Sequence, residues 1–189
     1  MKDKINDQEK INLIRENLIN TYCDYYYIID VGRKTKKQRN YDDSRLDSYV
    51  IFINQILEMS KRDFINCSYK LLVDKKSFGF NSFCELMLDA YSYKVNDWYI
   101  LDPKVKKDLK IIRNNYLSHS SIGSSEIKII LLDIFKQILV LIDKYNEAVK
   151  SICHDKLISD YALSEMQRQI KTGVDQMFEN NSHRKVYGD

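Results

Sequence analysis

The scarcity of residues that end helices and form tight turns is the strongest constraint on the fold of this chain. Its 189 residues include one proline and five glycines, whereas hairpins and β-turns depend on these residue types. Apolar side chains instead recur every three or four positions, as at Ile11, Ile14 and Leu18, which is the pattern of one helix face. The sequence therefore predicts an all-α protein, an up-and-down bundle of about five to seven helices.

The length and charge pattern bound the domain organisation. A chain of this size suffices for one hydrophobic core and is short for two, so we expect one helical domain over residues 1–179 and a frayed tail over residues 180–189. Residues 1–20 lack the apolar core of a secretory signal. Residues 127–142, the most apolar stretch, are interrupted by charges and too short to cross a bilayer. A soluble cytoplasmic protein is predicted.

The apolar periodicity also predicts the limits of the first helices. The first should end near Asp30, because Gly32 follows it and opens a basic run. The second should carry Leu57 and its apolar neighbours toward the core. A shorter third helix is expected after a turn, with its cap at Asn81 or Ser82.

The second half of the chain has clearer boundary signals. Asp102 directly precedes Pro103, which places a capping carboxylate before a proline at the first helical position. Residues 118–125 are rich in serine and predict a loop before a long apolar helix over residues 125–149. A last helix is expected from about Asp155 to Phe178. Its predicted core positions are Ile158, Tyr161, Met166, Ile170, Val174 and Met177.

The cysteines do not form a metal-binding or disulfide pattern. The four are widely spaced and include no CxxC pair, so most are expected in the core. Cys153 and His154 are adjacent, but neighbouring residues on a helix point about 100° apart, and nothing nearby completes a site. We therefore expect neither a metal ion nor a cofactor. The four are Cys23, Cys67, Cys84 and Cys153.

One short segment carries the residues from which a function can be predicted. Arg113 is followed directly by Asn114 and, after five intervening residues, by His119. This segment lies near the end of one predicted helix and just before the long apolar one. It resembles the signature of the HEPN superfamily, in which an arginine, often followed by a polar residue, precedes a histidine. The arrangement is most similar to the abortive-infection branch of that superfamily.

The resemblance implies a metal-independent endoribonuclease of a bacterial defence or toxin system. Transesterification of RNA needs a base for the 2′-hydroxyl, an acid for the leaving 5′-oxygen and positive charge for the phosphorane. His119 would act as base or acid, because histidine titrates near neutral pH. Arg113 would hold two phosphate oxygens with its planar guanidinium, and Asn114 would orient the phosphate or the histidine.

The helical geometry of this motif predicts how a site would be assembled. Residues six apart on a regular helix point about 120° away from each other, so Arg113 and His119 do not share a face. They can approach if the helix ends near Ser118, or if two subunits assemble each site. The resemblance implies a homodimer with facing motifs, and an antitoxin or regulatory partner is a further expectation.

The sequence departs from the family pattern at two positions. HEPN toxins that pair with a minimal nucleotidyltransferase usually carry a tyrosine two residues after the histidine, where this chain has Ser121. Modification by such an enzyme is therefore not predicted. Ser118 stands where alanine is more usual.

A basic run and many tyrosines are the other features that suit RNA. The net charge of +3 is too small to indicate a nucleic-acid partner by itself. The run follows the first predicted helix, where it would contact phosphates or serve as a solvated connector. The fourteen tyrosines would stack on bases or form a buried aromatic seam. The candidate RNA-binding residues of the run are Arg33, Lys34, Lys36, Lys37 and Arg39.

Three functional hypotheses remain open at this point. The first is the ribonuclease described above. The second is a HEPN-like module that binds RNA or a nucleotide without cleaving it. The third is a helical protein-interaction factor, in which Arg113 pairs with a carboxylate and His119 caps a helix end.

Overall fold

The computed structural model describes residues 6–38, 47–74, 77–95, 102–118 and 124–183. These residues form helices and no strand, so the all-α prediction is confirmed. None of the helices in these ranges combines the length with the apolar character that a membrane span requires. The helices are α1 (Asp7–Gln38), α2 (Asp47–Leu72), α3 (Phe80–Tyr91), α4 (Pro103–Ser118), α5 (Ser124–Lys150) and α6 (Asp160–His183), with a 3-10 turn at His154–Lys156.

Helix α1 is the centre of the bundle and is longer than predicted. It contacts α2, α3, α5 and α6. The predicted end near Asp30 is wrong, because α1 continues through Gly32 to Gln38. Beyond the glycine, Val31 and Thr35 are 0% and 5% exposed. A single glycine costs a helix about 1 kcal/mol, and burying a valine returns about 1.5–3 kcal/mol, so packing decides where α1 ends.

The main core is built around aromatic rings that join α1, α2 and α5. The Tyr25 ring stacks on Phe135, with centroids 3.8 Å apart and planes 7° apart. Tyr22 and Tyr26 lie 5.6 Å and 5.5 Å from the same ring, and Phe64 of α2 lies 5.8 Å from Tyr25. The buried aromatic seam, one of the two alternatives for the tyrosines, is therefore present at these positions.

A smaller apolar cluster fixes α6 against the carboxyl-terminal half of α1. Val31, Ile53 of α2, and Val174 and Phe178 of α6 are each at most 5% exposed. Together with the contact between Tyr25 and Phe64, this pairing shows that α1 and α2 are antiparallel. The cluster explains why α1 remains helical where the sequence predicts a connector.

The start of α3 corrects the predicted cap. Neither Asn81 nor Ser82 caps this helix, because its first residue is Phe80 and its N-cap is Gly79. A β-carbon at Gly79 would lie 2.5 Å from the carbonyl oxygen of Lys70 in α2. Close approach of the two backbones therefore requires glycine at this position.

The start of α4 is the one that was predicted. Pro103 is its first residue, and Oδ1 of Asp102 accepts a hydrogen bond of 2.8 Å from the backbone N–H of Lys104. The predicted long helix begins at Ser124, within one residue of its expected start. Residues 119–123 of the predicted loop lie outside the described residues.

Helix α6 differs from its predicted form at both ends. It begins at Asp160 rather than near Asp155, and it continues beyond Phe178 to His183. Tyr161 was predicted to be a core residue and is 81% exposed, whereas Leu163 is 7% exposed. Tyr161 has helical spacing with Ile158, which precedes α6. Within α6, Leu163 is spaced by three or four residues from the apolar stripe of Met166 and Ile170, and Tyr161 lies on the opposite face.

The connection between α5 and α6 is held by side chains of α5 and α1. The Asn146 amide accepts a hydrogen bond from the backbone N–H of Ile158 and donates one to its carbonyl, each 2.8 Å long. The Lys156 carbonyl accepts hydrogen bonds from Nε of Arg15 at 3.0 Å and from the Tyr145 hydroxyl at 3.2 Å. These four bonds fix the position from which α6 starts.

Asp24 of α1 is expected to make the stability of the fold dependent on pH. Burial, together with the nearby Asp63 carboxylate, raises the pKa of Asp24 to about 6. The folded protein therefore holds this proton to a higher pH than the unfolded chain does. As a result, the free energy of unfolding falls as the pH rises from about 4 through 6.

We expect Asp24→Asn to raise the free energy of unfolding at about pH 7.5 by about 1 kcal/mol, since solvent screens a partly exposed carboxyl. The gain should be lost as the pH falls through about 6 and vanish near about pH 3, where Asp24 is largely protonated in both states. Urea denaturation across this pH range measures the effect. Asp89→Asn, at an exposed position of α3, is the control. Equal gains for the two variants would contradict the expectation.

Candidate functional site

The predicted motif begins on the last turns of α4. This helix is anchored by Leu109 and Ile112, both 0% exposed. Arg113 follows, and its guanidinium carbon lies 4.3 Å from the centroid of the Tyr69 ring of α2. Such a cation–π contact contributes about 0.5–2 kcal/mol. The side chain of Asn114, the next residue, is exposed to solvent.

The position of α4 bears on the predicted approach of Arg113 and His119. The last described residue of α4 is Ser118, which is where the helix has to end for the two side chains to approach within one subunit. His119 lies outside the described residues, as does Arg39 of the basic run. Lys37 belongs to α1, but the structure does not describe its side chain. The relation of His119 to Arg113 therefore stays a prediction.

The basic run is not a connector, because its first residues belong to α1. Arg33 forms an ion pair of 3.3 Å with Asp30, and its side chain is 62% exposed. Lys34 forms an ion pair with Asp175 of α6. Lys36 is exposed. Helical spacing therefore separates Lys34 from the other two cations, and among these three described side chains Arg33 and Lys36 share a surface.

Arg33 and Lys36 line a groove between α1, α2 and α5, with a volume of about 690 Å³. Lys61 of α2 and Lys128 of α5 line the same groove. The one acidic residue in its lining, Glu58, forms an ion pair of 2.6 Å with Lys61. Within the described ranges, no ion pair is found for Lys36 or Lys128.

The remaining lining of the groove is largely aliphatic. Ile29 and Leu132 are 37% and 42% exposed, so the lining presents apolar surface as well as charge. Gly32 also lines the groove, and a β-carbon at this position would meet no atom within 4 Å. The groove therefore combines basic side chains with an apolar lining. Its other aliphatic lining residues are Ile28, Leu57 and Leu131.

The cysteines are not placed as nucleophiles or metal ligands. The Cys153 thiol donates a hydrogen bond of 2.8 Å to Asp155, which raises the pKa of the thiol. His154 is exposed on the 3-10 turn. No cluster of three or more His, Cys, Asp or Glu residues suited to a metal ion occurs in the described part of the chain. Burial raises the pKa of the thiols of Cys23, Cys67 and Cys84.

Sequence reasoning missed three residues of these surfaces. Lys61 and Lys128 are isolated in the sequence, and no spacing signal connects them with Arg33 and Lys36. Tyr69 belongs to the apolar pattern of α2, so its contact with Arg113 has no sequence signature. Comparisons with protein-family models, with curated proteins and with solved structures found no match to this chain.

Proposed function

We propose that this protein is a metal-independent endoribonuclease of a bacterial defence or toxin system, which cleaves RNA by transesterification. The observation that supports the proposal is the position of Arg113 and Asn114 on the last turns of α4, directly before the segment that carries His119. An arginine and a histidine close in sequence supply the two functions that RNA cleavage needs without a metal ion: phosphate binding and proton transfer.

The contact with Tyr69 suits Arg113 for phosphate binding. The aromatic ring lies over the guanidinium, so the N–H donors in the plane of the guanidinium stay available for two phosphate oxygens. Holding the side chain in one position lowers the entropy that phosphate binding would cost. Asn114, exposed beside it, would orient the phosphate or the His119 ring by hydrogen bonding.

A homodimer would complete the proposed site. In this arrangement the carboxyl-terminal ends of the two α4 helices face each other, so each cleft receives motif residues from both subunits. Such an enzyme acts on RNA of its own cell and needs restraint, for which an antitoxin or another regulatory partner is proposed.

The test is cleavage of total RNA and transfer RNA in excess EDTA. We expect wild-type protein to produce fragments that end in 2′,3′-cyclic phosphate, and His119→Ala to be slower by about 100-fold or more. Arg113→Lys keeps the charge but loses bidentate contact, so a smaller loss is expected. His154→Ala, at the exposed histidine of the 3-10 turn, is the control. Wild-type activity of His119→Ala would refute the proposed role of this histidine.

A second candidate is RNA binding without cleavage. It is favoured by the same contact with Tyr69, because an arginine held in this way can bind an RNA phosphate without any proton transfer by His119. In that case neither wild-type protein nor His119→Ala cleaves RNA, and both bind it equally. If neither binds RNA at low salt, the third hypothesis, a helical protein-interaction factor, takes precedence.

A further inference from the structure

The groove between α1, α2 and α5 has a charge that suits an anionic ligand. Its lining includes four basic side chains and one carboxylate, that of Glu58. The Glu58 carboxylate is already engaged by Lys61 at 2.6 Å. Lys36 and Lys128, which come from different helices, have no described ion-pair partner, and an anion between them would be bound from two sides.

The apolar lining of the groove indicates that the ligand carries more than charge. Ile29 and Leu132 are partly exposed in the same groove as the cations, and covering their surface stabilises a complex. Tyr25 also lines the groove, but its ring is stacked on Phe135 inside the core. A nucleotide unit combines a phosphate with a flat base, which fits a groove lined by both cations and aliphatic side chains.

The size of the groove favours an unpaired strand. A volume of about 690 Å³ is in the range of sites that hold small ligands, so it admits on the order of one or two nucleotide units. Bases of a duplex are stacked and paired, whereas those of a single strand can turn into a groove. We propose that this groove binds a single strand of RNA through its phosphates, at a site separate from the motif on α4.

An acidic peptide is the less suitable ligand. A peptide helix that docks in a groove uses a row of apolar anchors at helical spacing, and two partly exposed aliphatic side chains, Ile29 and Leu132, offer too little surface for such a row. None of the residues that line the groove belongs to α4, so a strand held there leaves Arg113 free for a scissile phosphate. Because RNA is taken as the ligand, this inference rests on the proposed function.

The test measures binding of a fluorescent single-stranded RNA whose 2′-hydroxyls are methylated, which prevents cleavage. Lys36→Glu with Lys128→Glu should weaken affinity by about tenfold or more at about 0.1 M salt and lower the salt slope by about 2. Lys94→Glu with Lys150→Glu makes the same change of charge at exposed positions. Lys150 lies about 33 Å along α5 from Lys128. This control should change affinity by less than about threefold.

A second pair of variants tests the groove without changing charge. Gly32→Leu places a side chain in the open space of the groove and should weaken RNA binding by about tenfold. Gly173→Leu, on the exposed surface of α6, also meets no atom within 4 Å of its β-carbon and should bind RNA as the wild type does. Leucine is a better helix former than glycine, so unfolding does not account for a loss.

The outcomes separate the two proposals. Equal affinity of groove variants and their controls overturns the groove as the RNA site, and cleavage by the wild-type protein in a parallel assay leaves the proposed function standing. If the groove variants lose RNA binding and no protein cleaves RNA, the groove stands as the RNA site and the proposed ribonuclease activity is refuted. If a mononucleotide binds as tightly as a ten-nucleotide strand, the ligand of the groove is a free nucleotide, and the inference of a bound strand is overturned. Binding of an acidic peptide but not RNA overturns the inference.

Discussion

Phe135→Ala is expected to lower the free energy of unfolding by about 3–5 kcal/mol. The side chain is 5% exposed, and its ring lies against Tyr22, Tyr25 and Tyr26 of α1. Truncation would leave a cavity between α5 and α1, because large rings on a central helix cannot shift to fill it. Guanidinium denaturation followed by circular dichroism measures the loss.

Two further variants make this expectation specific to the aromatic packing. Phe135→Leu keeps most of the apolar volume and should cost about 1–2 kcal/mol. Tyr161→Ala removes an aromatic side chain that is 81% exposed, and its cost should stay within about 0.5 kcal/mol. If Phe135→Ala costs no more than Phe135→Leu, the ring contacts do not hold α5 to α1.

Asn146→Ala is expected to lower the free energy of unfolding by about 2–4 kcal/mol. The variant removes both hydrogen bonds to the Ile158 backbone. Ile158 is 1% exposed, so water has little access to the N–H and carbonyl that lose their partner, each of which costs about 1–3 kcal/mol. Denaturation gives the total, and hydrogen exchange at the Ile158 amide should accelerate more than exchange in the middle of α1.

Tyr145→Phe is the matched variant for this connection. It removes one hydrogen bond, from the Tyr145 hydroxyl to the Lys156 carbonyl, and keeps the buried ring. Its expected cost is about 1 kcal/mol, partly because Arg15 still donates to the same carbonyl. A loss for Asn146→Ala that is as small as this one would mean that the connection is held by packing rather than by the asparagine.

The helices could be predicted from apolar spacing, but their limits depend on packing between distant parts of the chain. Asp102 and Pro103 predict the start of α4 because cap and proline act locally. Gly32 misleads for the opposite reason: the residues that keep α1 helical beyond it, on α2 and α6, are far away in sequence. Tyr161 has helical spacing with Ile158, but Ile158 precedes the start of α6, so this spacing does not place Tyr161 on the apolar face of the helix.

The candidate functional residues also include some that sequence analysis can detect and some that it cannot. Arg113, Asn114 and His119 form a local pattern, which sequence analysis can detect. The groove combines cations from three helices, and only the two from α1 are neighbours in sequence. Spacing along α1 also separates Lys34, which pairs with Asp175, from Arg33 and Lys36. The helix that carries a run of like charges therefore decides which of its cations share a surface, and the run alone does not predict this.

The packing of α6 on α1 has a consequence for protein synthesis. Val31 and Val174, which share one apolar cluster, are roughly 140 residues apart, so at about 5–20 residues per second the nascent α1 waits on the order of 7–30 s for its partner. During that time its apolar surface is open to chaperones and to neighbouring chains. On crowded polysomes, the misassembly that this topology favours is an exchange in which α6 of one chain packs on α1 of another.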